Sequence, residues 1–166
     1  MHDELTQKDI DKMQEEIDYR TLVLRPKLLE EVKRTRAFGD LSENFEYKEA
    51  KREKNRNDSR IRYLTNMIKT AKVYEDAAGA DEVGLYDKVE CYYVEDDETE
   101  VVQIVTTVRT DSLTGKISKE SPFGKALLGR RVGDEVEIQS PAGAYIVKIL
   151  SLEKGEDDGS IPISSY

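Results

Sequence analysis

The chain has 166 residues, 37% charged and 37% hydrophobic, with a net charge of −9, which is enough for one or two small domains. No run approaches the roughly 20 apolar residues of a membrane span, the acidic start Met1-His2-Asp3-Glu4 lacks a secretory apolar region, and the acidic balance argues against a free-standing duplex-DNA binder. One cysteine, Cys91, excludes an intramolecular disulfide, and one histidine, His2, argues against a His-based triad or a His/Cys zinc site, leaving a soluble, cytoplasmic, charge-rich protein with no membrane partner as the expectation.

The charge is uneven. Residues 1–75 carry 17 basic and 16 acidic side chains, whereas residues 76–166 carry 9 and 19. The break predicts two domains. The first half has one proline, Pro26, and one glycine, Gly39, as a helical segment should. Its first helix is expected to begin at Thr6, with Asp9 three residues on as a capping-box variant. Ile10, Met13, Ile17, Leu24 and Leu28 then follow heptad-like spacing, with Arg20 or Thr21 in the gap. Pro26 should kink this helix or sit at a local irregularity. In the second helix Tyr47, Ala50, Lys54, Asn57, Ile61, Leu64, Ile68 and Ala71 alternate steps of three and four. Two seams joined near Gly39 predict an antiparallel coiled-coil hairpin over residues 1–75.

Residues 76–84 are small and polar and read as a linker. Residues 85–153 read as a small antiparallel sheet with one short helix, an α+β unit. Lys88–Val94 alternates, with Val89, Cys91 and Tyr93 facing inward, and Val101–Arg109 is rich in Val, Ile and Thr. Ser121-Pro122 is an N-cap followed by proline at the first helical position, and Gly129 suits the helix end. Glu135–Gln139 and Tyr145–Ile149 complete the strands. Residues 154–166 are expected to be a loose, disordered acidic tail.

The chemistry concentrates at the hairpin joint, Phe38-Gly39-Asp40-Leu41-Ser42-Glu43-Asn44-Phe45-Glu46-Tyr47. It holds Asp40, Glu43 and Glu46 and no cation, while Lys33, Arg34 and Arg36 precede it and Lys48, Lys51, Arg52, Lys54, Arg56, Arg60 and Arg62 follow. Asp40 and Glu43 fit a capping box for the second helix. The flanking bases fit i, i+4 pairing with Glu46, Glu49, Glu53 and Asp58. The same two carboxylates also fit an incomplete Mg²⁺ site, because hard oxygen ligands suit that ion and it shares carboxylates with phosphates. Another molecule would have to complete the site.

The tip Gly39-Asp40-Leu41-Ser42-Glu43-Asn44-Phe45-Glu46-Tyr47 resembles the signature of the bacterial Gre transcript-cleavage factors, the GreA/GreB family. Ile117-Ser118 through Ser121-Pro122-Phe123-Gly124-Lys125-Ala126-Leu127-Leu128-Gly129, then Gly133-Asp134-Glu135-Val136 and Pro141-Ala142-Gly143, resemble that family's C-terminal domain. The likeness spans about residues 5–152. It implies an FKBP-like second domain that docks at the rim of the secondary channel of RNA polymerase, with the coiled coil inside the channel.

By the same resemblance the protein is not an enzyme itself. It acts as a monomer on the polymerase elongation complex and the nascent RNA 3′ end, and any contact with DNA is indirect. Asp40 and Glu43 take the catalytic positions and help bind Mg²⁺ with the polymerase, so that backtracked RNA is cut and arrested complexes resume. Ser42 supports the tip or caps the helix. Lys51 falls on an RNA-proximal basic position, and Arg52 and Arg36 are its neighbours. Glu120, Ser121 and Pro122 form the polymerase-docking loop, and they also cap the short helix. Phe45 stands where the family commonly has Ala; it could pack against polymerase or cover the turn. A non-cleaving channel binder that inhibits or modulates polymerase is the alternative reading. A prolyl isomerase is a third, disfavoured because the second domain has few aromatics and no Trp.

Overall fold

A computed structural model describes residues 3–39 and 44–165. The chain divides into two compact units, one built on residues 9–71 and the other on residues 4–8 together with 72–165.

The first unit is a helical hairpin. Its elements are α1 (Gln7–Tyr19), a π-helical turn (Arg20–Leu24), α2 (Arg25–Arg36) and α3 (Phe45–Thr70). Cross-helix contacts run in opposite order along the two arms. Arg60 bonds Glu16, Asn57 bonds Arg20 and Tyr47 bonds Arg36, so the arms are antiparallel. The π turn explains how Pro26 is accommodated. Pro has no N–H for the ordinary bond to Leu22, and its ring would crowd that carbonyl. Widening the preceding turn to an i→i+5 pattern relieves both problems, with the Arg25 N–H donating to the Arg20 carbonyl.

The seam is partly polar. Ala50 and Leu64 are buried on α3 and Met13 on α1, but so are Asn57 and Arg60 on α3 and Thr35 on α2. Arg60 and Arg20 each donate to Glu16 at 2.8 Å. Asn57 accepts from Arg20 at 3.0 Å and donates to the Arg20 carbonyl at 3.1 Å. Such a network matches one register only, the best-attested use of buried polar groups in coiled coils.

The second unit carries a five-stranded sheet in the order β5-β4-β3-β7-β6, made of β3 (Lys88–Tyr93), β4 (Glu98–Val105), β5 (Lys116–Ser118), β6 (Glu135–Ser140) and β7 (Gly143–Glu153). Buried residues recur every second position: Val89 and Cys91, Val102 and Ile104, Val136 and Ile138, Val147 and Ile149. That period puts one face of each strand on the core. Helix α4 (Pro122–Leu127) adds Leu127 to the same cluster, with Phe123, Ala126 and Leu128 packed around it. Each large side chain buried this way contributes about 1.5–3 kcal/mol. Burial also pushes the Cys91 thiol up to about 12, so it packs as an inert apolar group.

Three expectations need correction. The sheet is mixed, because β5 pairs parallel to β4. The strand expected over Val101–Arg109 stops at Val105, and Thr107–Arg109 form a 3₁₀ turn that begins the return path. A second, two-stranded parallel sheet joins β1 (Glu4–Leu5) to β2 (Lys72–Val73).

The expectation for the tail also needs correction. Residues 154–164 are strapped to the second unit rather than loose. Lys154 donates to Asp87 at 2.5 Å, and the Gly155 N–H donates to the same carboxylate at 2.9 Å. A Cβ at Gly155 would lie 2.2 Å from the Tyr86 carbonyl oxygen, so glycine permits the approach. Asp157 receives the guanidinium of Arg109, which is 1% exposed. Ile161 packs on the core and its carbonyl accepts from Arg109 at 2.7 Å, and the Ser164 N–H reaches the Val108 carbonyl at 2.7 Å. A buried guanidinium needs a fixed anion, and the tail supplies it.

Candidate functional site

The end of the hairpin is organised by Asn44. Its backbone lies outside the helical region, and its Oδ1 accepts from the Tyr47 N–H at 2.9 Å. Its Nδ2 donates to the Thr35 carbonyl at 2.6 Å, near the end of α2. Asn44 is therefore the cap of α3, and it also ties the two arms. The capping role expected of Asp40 is filled by a residue four positions later. Asp40, Ser42 and Glu43 themselves lie outside the described residues.

The basic residues around the end divide into two groups. Arg36 and Lys51 converge on one ring: their charged heads lie 5.7 Å and 5.8 Å from the centre of Tyr47, within cation–π range. Arg36 also donates to the Tyr47 hydroxyl at 3.4 Å. That hydrogen bond, with the charge of Lys51 beside it, holds the Tyr47 phenol below its usual range. Arg52 does not join them; it pairs with Glu49 at 2.6 Å. Arg34 bonds Glu31 and lies 5.1 Å from the centre of the Phe38 ring. Lys48 lies 5.6 Å from the centre of the Phe45 ring. Sequence reasoning placed Tyr47 in the seam and the tip signature, and did not foresee that it gathers Arg36 and Lys51. Its signal was present, because Tyr47 and Lys51 stand four apart and share a helix face.

In the second unit the loop before α4 carries Glu120, Ser121 and Pro122. Ser121 Oγ accepts from the Gly124 N–H at 3.0 Å and donates to the Ser118 carbonyl at 2.7 Å, so it is the expected helix cap. Glu120 accepts from the Thr107 hydroxyl at 2.6 Å. Pro122 is exposed at the first helical position. Gly124 has no room for a side chain: a Cβ would lie 2.1 Å from the Ser118 carbonyl oxygen. Phe123, Tyr93 and Tyr145 form an aromatic cluster, with ring centres 6.3 Å and 6.1 Å from Tyr93. The Tyr93 hydroxyl donates to Glu100 at 2.7 Å, and burial, then that carboxylate, push its phenol well above the usual range.

Among the described residues, no three His, Cys, Asp or Glu side chains are grouped as a metal site, and no helix is long and apolar enough to cross a membrane.

Comparison with known proteins covers most of the chain. The family model for the N-terminal domain of the GreA/GreB transcription elongation factors matches residues 4–73, and that for their C-terminal domain matches residues 78–154. Transcription elongation factor GreA of Geobacillus kaustophilus is 43% identical over 90% of this chain and 95% of its own length. The GreA of Bacillus subtilis is 40% identical over 89% of this chain and 94% of its own length. Among solved structures, GreA factor homolog 1 of Thermus thermophilus aligns with 93% of this chain and 100% of its own, at 26% identity and a TM-score of 0.44.

Proposed function

Because the chain belongs to the GreA/GreB family of transcription elongation factors, we propose that it binds bacterial RNA polymerase and stimulates cleavage of backtracked nascent RNA. The observation that carries this reading is the cap at Asn44. Carboxylates near a helix start are ordinarily explained by capping, and here Asn44 does that work. The capping reading of Asp40 and Glu43 is then not needed, and cations flank them on both sides in sequence.

Each part of the chain has a task in this reading. The hairpin enters the secondary channel, and Asp40 and Glu43 face the polymerase active centre. Their hard carboxylate oxygens are the donor type Mg²⁺ takes, and that ion normally keeps further positions for water and phosphate, so these two residues fit a site shared with polymerase. When bound, the ion supplies charge stabilisation and an activated water for phosphodiester hydrolysis. Asp40 and Glu43 position that centre, and Ser42 between them offers a hydroxyl for hydrogen bonding. Arg36 and Lys51, held together on Tyr47, meet the phosphates of the extruded RNA. Arg52, already paired with Glu49, adds charge at longer range. In the second unit, exposed Pro122 with Glu120 and Ser121 forms the surface that docks on polymerase. The catalytic centre belongs to polymerase, and this chain lends ligands to it.

A stalled, backtracked elongation complex with labelled RNA and Mg²⁺ tests the reading. Release of a short 3′ fragment on addition of the protein is expected. Asp40→Ala and Glu43→Ala should each lose most of that cleavage while polymerase binding survives. Binding without any fragment from the unaltered protein would point to a non-cleaving channel binder and sink the proposal.

A further inference from the structure

Phe45 is the first residue of α3 and is 80% exposed. Its ring is open to contact by another molecule, and aromatic rings dominate interface energetics. Each aromatic ring between residues 34 and 51 has a cation against it. Arg34 accompanies Phe38, Lys48 accompanies Phe45, and Arg36 with Lys51 accompanies Tyr47. Phe38 is also more than half exposed.

We propose that Phe45 is a stacking platform for a base of the extruded RNA 3′ segment, with Lys48 placed for the adjoining phosphate. The inference rests on the cleavage reading above and names the contact that would hold the RNA. Single-stranded nucleic acid is bound by this pairing of aromatic faces and cations, because every base has a π face and every linkage a negative charge. Such recognition is indifferent to sequence, as it must be for RNA extruded at any position. A protein partner fits less well. The centres of protein interfaces gain aromatic residues but lose lysine, whereas here the most exposed ring has a lysine alongside it.

The test pairs a ring change with a base change in the stalled elongation complex. With ordinary RNA and subsaturating protein, Phe45→Ala should slow cleavage by about five- to 150-fold, the range expected for losing one stacked base. Phe45→Trp should keep the rate. RNA with abasic 3′-terminal nucleotides should slow the unaltered protein by a similar factor and Phe45→Ala little further. An equal deficit on both RNAs would place the ring against polymerase and overturn the proposal, as would no deficit at all.

A second readout does not depend on cleavage. With Mg²⁺ chelated, 4-thiouridine at the RNA 3′ end should crosslink to the unaltered protein and lose most of that transfer with Phe45→Ala. If the protein cuts nothing yet this pattern holds, stacking stands and the cleavage reading falls. If no ring-dependent transfer is found, stacking falls.

Discussion

In the hairpin the buried side chains include Thr35, Asn57 and Arg60, tied by hydrogen bonds to the facing arm or to their own helix, whereas the sheet unit closes over Val89, Cys91, Ile104, Leu127 and Ile149. The first arrangement is directional and charged; the second is an apolar core, with its buried ion pairs set apart in the tail strap. A slender hairpin offers only one narrow stripe for burial, so specific polar pairs have to set its register. A five-stranded sheet with a helix against it has room for a dry core. The comparison implies that the two units should fail under different conditions.

Removing a core side chain gives the largest expected loss. Ile149→Ala should cost about 2–5 kcal/mol, read by denaturant unfolding of the tyrosine-rich sheet unit, with the helical signal of the hairpin little changed. Asp157→Ala should cost about 3–5 kcal/mol in the same unit, because the Arg109 guanidinium would stay buried without its carboxylate. A loss confined to the hairpin in either case would erase the distinction between the units.

An intermediate effect is expected at the polar seam. Glu16→Gln weakens its bonds to Arg60 and Arg20 and should cost about 1–3 kcal/mol, seen as earlier melting of the helical signal. The same residue gives a pH dependence. Burial pushes the Glu16 carboxyl up, but the hydrogen bonds and charges of Arg60 and Arg20 outweigh it and hold it below its ordinary value of 4.5. Asp58 behaves alike, burial being outweighed by Lys54 and Arg25. Both carboxyls take up protons more readily unfolded than folded. Their stabilisation is complete above about pH 4.5 and is lost as the pH falls through the folded values. Acid titration of the helical signal checks this, and Glu16→Gln should flatten the curve.

The smallest effect is at the hairpin end. Asn44→Ala should cost about 1 kcal/mol through loss of the cap and let the start of α3 fray, visible as faster amide exchange at Tyr47 and Lys48. Unchanged exchange there would return the capping role to another residue.

Much of this was legible in the sequence. The helical seams and the strands read at 88–94, 135–139 and 145–149 follow from periods of 3.6 and 2, which need only local sequence; the last strand runs longer, over Gly143–Glu153. The Ser121-Pro122 helix start follows from capping chemistry. The rest depends on contacts with no local signature. Two-residue strands such as Glu4–Leu5 show no period at all. Arg109 was read as a strand residue because its partner, Asp157, lies 48 positions away. At the tip, Asp40, Ser42 and Asn44 are all good cap residues, and spacing alone cannot choose among them. Arg60 was read with the flanking bases as pairing within its own helix, because nothing near it in sequence announces that Glu16 of the other arm will receive it.

The sheet unit takes Leu5 from one end of the chain, where its carbonyl accepts from the Tyr74 N–H at 2.7 Å, and Asp157 to Ser164 from the other. The hairpin, residues 9–71, is thus spliced into the sequence of the unit it precedes. Helical contacts between neighbouring arms can form while the chain is still being made. The sheet unit must hold β1 in reserve through the whole hairpin, and the Arg109–Asp157 pair cannot form until residue 157 has emerged. Long-range pairings of this kind are slow to close. During synthesis the hairpin is therefore ready first, and the sheet unit is completed only once residues 157–164 have emerged.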